Sequence, residues 1–297
     1  MPPSYSYYRT PVSEIAVCDY RETLDAVRAA GGCDLVLTSP PYDDARTYGN
    51  EVSWKFGDYQ ALGDGVLAAL KPGGSCLMVL DGPVREWRKG FGTERSFTPW
   101  RVMLDWAERV GFRVPDRLCY GRVGFPGKFP GRFRNDWEPL LWFQRGGDGY
   151  FDAEVLQEAA SEASIKHSAS RISVQTWDGE QSKQRRSHTA PGGMKNRGTL
   201  WWFGATGSGH DDPAALKTKH PARFCLTFAE DVVRCFCPPG GLVCDPFVGS
   251  GTSAVAAVRH GRLFAGGDLF GDADGKPWAL HAHERVQAEM AKREVTA

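Results

Sequence analysis

Two apolar rhythms alternate along the first 120 positions of the chain. Ile15-Ala16-Val17-Cys18, Asp34-Leu35-Val36-Leu37-Thr38 and Ser75-Cys76-Leu77-Met78-Val79-Leu80 are short apolar runs with the length of buried strands. Between them, Tyr20–Ala30, Tyr59–Leu70 and Pro99–Val110 read as amphipathic helices. Lys71-Pro72-Gly73-Gly74 is a stop signal for the second of these helices, and Gly111 ends the third. The rhythm returns towards the C-terminus. It predicts a helix over His220–Cys237, a strand at Leu242-Val243-Cys244, a helix over Thr252–His260 and a strand over Leu263–Asp268. A loop over Gly271–Pro277 and a helix over Trp278–Arg293 follow. Strands alternating with helices predict an α/β fold with a doubly wound, mostly parallel sheet.

Residues 121–217 break this rhythm and divide the chain into segments 1–120, 121–217 and 218–297. Gly, Ser, Lys and Arg rise in the middle segment. Arg122, Lys128, Arg132, Arg134 and Arg145 stand against Asp136 and Glu138, and Lys183, Arg185, Arg186, Lys195 and Arg197 have no acid among them. Trp177, Trp201, Trp202 and Phe203 are interleaved with these charges. A solvated surface insertion with a few anchoring aromatics is one explanation. A basic element that grips phosphates and reads bases is the other.

Composition narrows the classes. The chain has 297 residues, 41% apolar and 24% charged, which suits a globular protein with a sizeable core. Its formal net charge is zero, so any polyanion must be met by a local basic face. Eight cysteines are scattered with no C-x-x-C pair, and Cys235-Phe236-Cys237 has the wrong spacing for a zinc knuckle. His281 and His283 point to different faces of a helix, so no metal site is expected. Without a signal-type N-terminus or a run of about 20 apolar residues, no membrane association is expected and the location is cytoplasmic.

Two motifs carry chemistry. The first is Asp245-Pro246-Phe247-Val248-Gly249-Ser250-Gly251-Thr252, set between a strand and a helix. Gly249 and Gly251 allow a tight turn and close approach of a ligand to the backbone. Asp268, which ends the next strand 17 residues after Gly251, can accept hydrogen bonds from both hydroxyls of an adenosine ribose. Alone, such a loop suits NAD, FAD or S-adenosylmethionine equally. The second motif is Thr38-Ser39-Pro40-Pro41-Tyr42, at the carboxyl end of a buried strand. The prolines fix the backbone and remove two N–H donors, so the Pro40 carbonyl is presented rigidly as an acceptor. Ser39 adds a second oxygen and Tyr42 an aromatic face for a flat heterocycle. Two acceptors here can engage both hydrogens of an exocyclic amine and free its lone pair for attack on a methyl sulfonium. Both motifs fall at carboxyl ends of strands, where an open α/β sheet holds its ligands.

With these motifs in this order the chain resembles the β-class DNA amino-methyltransferases of restriction–modification systems and phages. In that class a Ser/Asp-Pro-Pro-Tyr motif comes first, a target-recognition region next and the cofactor loop last. Ser39-Pro40-Pro41-Tyr42, the basic middle and Phe247-x-Gly249-x-Gly251 follow that order. Asn135–Phe143 resembles the segment closing the catalytic half, and Thr218-Lys219-His220-Pro221-Ala222-Arg223-Phe224 resembles the motif before the cofactor loop.

The resemblance implies a Rossmann-like fold, S-adenosylmethionine as cofactor and duplex DNA as partner, in a bacterial or phage-encoded enzyme. Catalytic residues are then Ser39, Pro40, Pro41 and Tyr42. Asp19, Thr38, Lys219, His220, Asp245, Phe247, Gly249, Gly251, Thr252 and Asp268 hold the donor, with Asp19 near its adenine. Arg132, Arg134, Lys183, Arg185, Arg186, Lys195 and Arg197 contact DNA. A homodimer and a cognate restriction endonuclease are the further partners it suggests. Two departures stand out: Cys225 takes the place of a usual proline, and the Asn-Pro usual after Asp268 is missing. Asp43 and Asp44 are read as loop or DNA-positioning residues rather than a general base. Ser39 favours N4 of a flipped cytosine over N6 of adenine. An RNA or small-molecule methyltransferase, a non-catalytic DNA-binding homologue and a nicotinamide oxidoreductase are the competing readings. The last rests on the glycine loop alone, and a Cys nucleophile of the C5-cytosine type would need a Pro-Cys motif that is absent.

Overall fold

Parallel strands buried on both faces demand near-continuous apolar runs, and the runs noted above form the middle of one nine-stranded sheet. The computed structural model describes residues 6–42, 54–86, 93–122, 131, 133–161, 174–175, 181–182, 189–190, 193–203, 212, 220 and 223–296. In chain order its elements begin with β1 (Tyr7–Thr10), β2 (Ser13–Ala16), α1 (Tyr20–Ala29), β3 (Cys33–Thr38), α2 (Phe56–Ala69) and β4 (Leu70–Val79). Next come β5 (Val84–Glu86), β6 (Thr93–Arg95), α3 (Thr98–Asp105), a π-helical turn over Trp106–Val110, β7 (Arg117–Arg122) and β8 (Trp137–Gln144). Four two-residue strands follow: β9 (Glu158–Ala159), β10 (Val174–Gln175), β11 (Gln181–Ser182) and β12 (Thr189–Ala190). The last elements are β13 (Met194–Lys195), β14 (Leu200–Phe203), α4 (Leu226–Phe236), β15 (Leu242–Asp245), α5 (Thr252–Arg259), β16 (Leu263–Gly267) and α6 (Trp278–Thr296).

The large sheet runs β1-β2-β16-β15-β3-β4-β8-β7-β14. Every pairing from β2 to β4 is parallel, and β8 is antiparallel to both of its neighbours. This is the doubly wound, mostly parallel α/β fold expected. The chain leaves β15 through α5 towards β16, in one direction along the sheet. It leaves β3 through α2 towards β4, in the other. Right-handed crossovers therefore put α5 and α2 on opposite faces. Packing agrees: α1 and α3 both touch α2, while α4 and α6 both touch α5.

Local chemistry explains the elements. Asp19 accepts a hydrogen bond from the Arg21 N–H (3.0 Å) and caps α1, which buries Tyr20, Thr23, Leu24 and Val27 on one stripe. Helix α5 is buried on every side from Thr252 to Val258, as suits a helix between two others. Lys71–Gly74 does not end α2 in a loop. The strand already starts at Leu70, and the pairing jumps from Cys33↔Leu70 to Leu35↔Ser75 to absorb the extra residues. Expected helix His220–Cys237 is shorter than read: His220 and Arg223–Cys225 are not helical, and α4 starts after Cys225, whose backbone is extended (φ −73°, ψ 154°).

Two compact units divide the chain, Met1–Phe151 with Thr199–Ala297, and Asp152–Gly198. The insertion expected over 121–217 is thus narrower, because β8 and β14 fall within that span yet are strands of the large sheet. The smaller unit holds a three-stranded sheet in the order β12-β13-β9 and the β10-β11 hairpin. No helix among the described residues is long and apolar enough to cross a membrane.

Trp106 is fully buried between Phe143 (ring centroids 4.6 Å apart) and Phe112 (5.5 Å), and its indole N–H donates to the Tyr59 carbonyl (2.9 Å). That indole occupies the space a side chain on Gly63 would need: a Cβ there would lie 2.6 Å from the indole nitrogen. Gly→Ala inside a helix ordinarily stabilises by about 1 kcal/mol. Gly63→Ala should reverse that sign and cost about 1–3 kcal/mol through overpacking. Urea unfolding measures the difference, and a raised midpoint would refute this account of the α2–Trp106 contact.

Candidate active site

Where adjacent parallel strands send their connections in opposite directions, a crevice opens beyond their carboxyl ends. Here that point lies between β3 and β15, and the Thr38–Tyr42 turn and the Asp245–Thr252 loop leave from its two sides. Thr38 ends β3 and Asp245 ends β15, and the two are bonded across the crevice: Thr38 Oγ1 donates to Asp245 Oδ1 at 2.7 Å. Asp245 is 2% exposed and also accepts from Ser253 Oγ (2.5 Å) and the Phe247 N–H (3.1 Å). Burial pushes its carboxyl up to about 6 despite these three donors. These bonds all run within the protein, so Asp245 ties the two loops together.

The glycine loop is shaped by close contacts. Gly249 (φ +49°) and Gly251 (φ +86°) are left-handed, a region that disfavours side chains. A Cβ on Gly249 would come within 2.9 Å of His220 Nε2, and one on Gly251 within 2.6 Å of Ala282. Asp268 stands just after β16, accepting from the Gly249 N–H through Oδ2 (2.9 Å) and from the Phe270 N–H through Oδ1 (3.0 Å). Burial raises its carboxyl to about 6 as well. Phe247 packs its ring on Tyr20 and Trp54, each at 5.3 Å between centroids. The Tyr20 hydroxyl and Thr252 Oγ1 are buried without a hydrogen-bond partner among the described residues.

On the opposite side, the Tyr59 hydroxyl donates to the Pro41 carbonyl at 2.8 Å and pins the proline turn to α2. The Tyr42 hydroxyl donates at 3.2 Å to Glu138 Oε2, whose carboxylate is only 5% exposed near the start of β8. Ser39 Oγ is 3.5 Å from the Tyr42 oxygen, beyond an effective O–H···O bond.

A family description fits this arrangement. The DNA methylase family model matches residues 33–269, spanning both loops. This chain belongs to the DNA methylase family. Its members are S-adenosylmethionine-dependent amino-methyltransferases acting on cytosine N4 or adenine N6. The orphan methyltransferase M.BamHII of Bacillus amyloliquefaciens is 28% identical over 263 residues, covering 86% of this chain and 90% of that protein. Among solved structures, the cytosine-N4-specific PvuII DNA methyltransferase shares the fold at TM-score 0.61 and 20% identity, covering 96% of this chain and 93% of its own. A putative DNA modification methylase of Thermus thermophilus, solved with S-adenosyl-L-methionine, shares it at TM-score 0.57 and 21% identity, covering 92% of each chain.

Other predicted site residues of this DNA methylase are placed as follows. Asp19 caps α1 and pairs with Arg21 (3.3 Å). The His220 ring meets Trp278 edge-on at 4.4 Å. Arg134 is exposed, while Lys195 and Arg197 both pair with Glu158, at 4.0 and 3.1 Å. Lys219, Arg132, Lys183, Arg185 and Arg186, with Asp43 and Asp44, lie outside the described residues.

The departures acquire a physical reason. The Cys225 N–H donates to the Tyr120 hydroxyl (3.2 Å), a bond proline cannot make. In the segment that lacks the usual Asn-Pro, the Phe270 N–H donates to Asp268. Sequence reasoning did not single out Glu138, Tyr59 or Arg285 for roles here. Arg285, buried in α6 beyond the family match, donates to the Ser250 carbonyl and to Asp212. The one visible signal was Glu138 itself, an acid at the head of the apolar run Pro139–Phe143.

Thr38→Val should cost about 1–3 kcal/mol, because it leaves a buried carboxylate one donor short. Thr38→Ser should restore most of it. Chemical denaturation compares the three proteins, and equal stability of the valine variant would mean the bridge contributes nothing.

Proposed function

We propose that this DNA methylase transfers the methyl group of S-adenosylmethionine to the exocyclic N4 of a cytosine flipped out of duplex DNA at a specific sequence. The observation that carries this reading is the Thr38–Asp245 bond, which fixes the acceptor turn and the glycine loop side by side at one crevice. A donor bearing an adenosine and an amino acid fits the chemistry present. Asp268 offers acceptor oxygens beside the glycine loop, and Thr252 Oγ1 and the Tyr20 hydroxyl are buried polar atoms with unused capacity among the described residues. When bound, S-adenosylmethionine supplies an electrophilic methyl on a sulfonium.

The chain's own residues do the rest. Ser39 Oγ and the Pro40 carbonyl accept the two amine hydrogens and localise the nitrogen lone pair away from the ring. Tyr59, by holding the Pro41 carbonyl, keeps that turn from relaxing. Tyr42 stacks on the flipped base, and Glu138 sets the orientation of its ring through the hydroxyl. Holding the reactants at attack distance contributes on the order of 7–11 kcal/mol of acceleration. Ser39, rather than aspartate at this position, favours cytosine as the base. Arg134 and the basic residues of the middle segment meet phosphate, and a homodimer and a cognate nuclease belong to the same proposal.

The decisive assay incubates the protein with labelled donor and unmethylated duplex DNA, then digests to nucleosides for mass analysis. N4-methylcytosine is expected, N6-methyladenine would overturn the use of Ser39, and no label in DNA would overturn the reading. Joint replacement Ser39→Ala with Tyr42→Ala should lower transfer about a hundredfold or more, as removal of transition-state contacts does. Equilibrium dialysis should find donor affinity unchanged.

Asp268 accepts hydrogen bonds from hydroxyls most strongly when ionised, and burial pushes its carboxyl up to about 6. Donor affinity should therefore be flat above neutrality and fall as pH drops through about 6. The sign for stability is opposite: a carboxyl raised by burial costs the donor-free fold stability above about 6, and that cost fades on acidification. Asp268→Asn should weaken donor binding at neutral pH and flatten its pH profile. An unchanged profile would remove Asp268 from the donor site.

A further inference from the structure

Phe133 is 96% exposed, more than any other large apolar side chain among the described residues, with Phe97 next at 71%. A single exposed aromatic is ordinary on a protein surface, but this one has a distinctive mount. Two residues on, Asn135 Nδ2 donates to Asp81 Oδ2 (3.1 Å), and Asp81 is itself held by Arg95 Nη1 (2.7 Å) and the Gly82 N–H (2.8 Å). Asp81 lies just past the carboxyl end of β4, beside β3 and its acceptor turn: Thr38 pairs with Met78 in that register. Three residues after Asn135, Glu138 takes the Tyr42 hydroxyl. The segment from Phe133 to Glu138 therefore runs into the rim of the acceptor site, tied to it at two points. Five residues of chain keep Phe133 within about 17 Å of Glu138. Its neighbours Arg134 and Trp137 are both exposed, Trp137 at 38%. Phe97, at the start of α3, lies two residues after Arg95, which also holds Asp81, but it is less exposed, at 71%.

Extruding a base leaves a gap in the stack and an unpaired partner opposite. An apolar wedge that enters the helix from the same side fills the gap and opposes return of the base. Such a wedge must project into solvent before DNA binds, must sit on an anchored base, and must stand close to the pocket that receives the base. A cation next to it meets the backbone phosphates flanking the gap. We propose that Phe133 is this wedge, inserting into duplex DNA at the position vacated by the target base. The inference rests on the DNA-methylation reading of the site.

The test begins with the wild-type protein methylating unmodified plasmid DNA, the modified positions being located by sequencing the product. Short duplexes carrying that site are then made with the target paired normally and with an abasic position opposite it. Phe133→Ala should lose about tenfold or more in kcat/KM on the paired duplex, and less than about twofold where the target has no partner to leave. Phe133→Trp, which still stacks, should stay near wild type on both. Substitution of so exposed a side chain leaves the fold and donor binding intact, which dialysis and thermal unfolding check. Equal activity of Phe133→Ala and wild type on the paired duplex would overturn the wedge, and so would an equal loss on both duplexes. Failure of the wild type to methylate any DNA would instead overturn the parent reading.

Discussion

The hydrogen bond from Thr38 to Asp245 is the constraint on which the site depends. A carboxylate buried to 2% exposure is costly unless donors surround it, and Asp245 finds three, one from each structure that must stay in register. Thr38 speaks for the strand that presents the proline turn. The Phe247 N–H speaks for the glycine loop, and Ser253 for the first turn of α5. Because the group is buried, moving any of these pieces strands part of its charge. Two loops whose anchoring residues stand 207 positions apart in sequence are thereby held as one rim, before either substrate arrives.

That economy recurs where the chain departs from its relatives. Position 225 exchanges an expected proline for a residue with an N–H, the segment after Asp268 lacks the expected Asn-Pro, and the N–H groups of Cys225 and Phe270 are both used. At 225 the donor fastens the start of α4 to Tyr120, whose ring packs on Phe228 of that helix at 4.7 Å. At 270 it gives Asp268 a second backbone donor, alongside Gly249. At 225 a proline would have fixed the backbone angle by covalent geometry; here a hydrogen bond holds the same corner. The substitutions are thus compatible with an intact site rather than marks of decay.

Much of this was legible in the sequence, and the illegible part has a common cause. Strands β3, β4, β15 and β16 and helices α1 and α5 are announced by local periodicity, and the glycine and proline motifs by their own backbone requirements. Boundaries failed where tertiary pairing overrode a local signal. Lys71–Gly74 reads as a stop, yet β3 recruits the chain from Leu70 onward. His220 reads as helix, yet it stands outside α4, over Gly249. Glu138, Tyr59 and Arg285 act through partners that lie 96, 18 and 35 residues away, and no periodicity encodes such pairs. The middle segment reads as one basic insertion, though β8 within it is what delivers Glu138 to Tyr42.

Charge in that segment follows a related logic. The chain is neutral overall, and Lys195 and Arg197, read from sequence as phosphate contacts, share Glu158. A phosphate that recruits either one must compete with that carboxylate, so the counterion released by binding is partly replaced by an ion pair broken inside the protein. The attraction these two residues could add is damped only a little, because exposed pairs of this kind are weak. Discrimination between sites is not damped, since it rests on base edges and on the ease of extruding a base. On the function proposed above, recognition of a site would then lean on the acceptor rim and on base edges more than on charge.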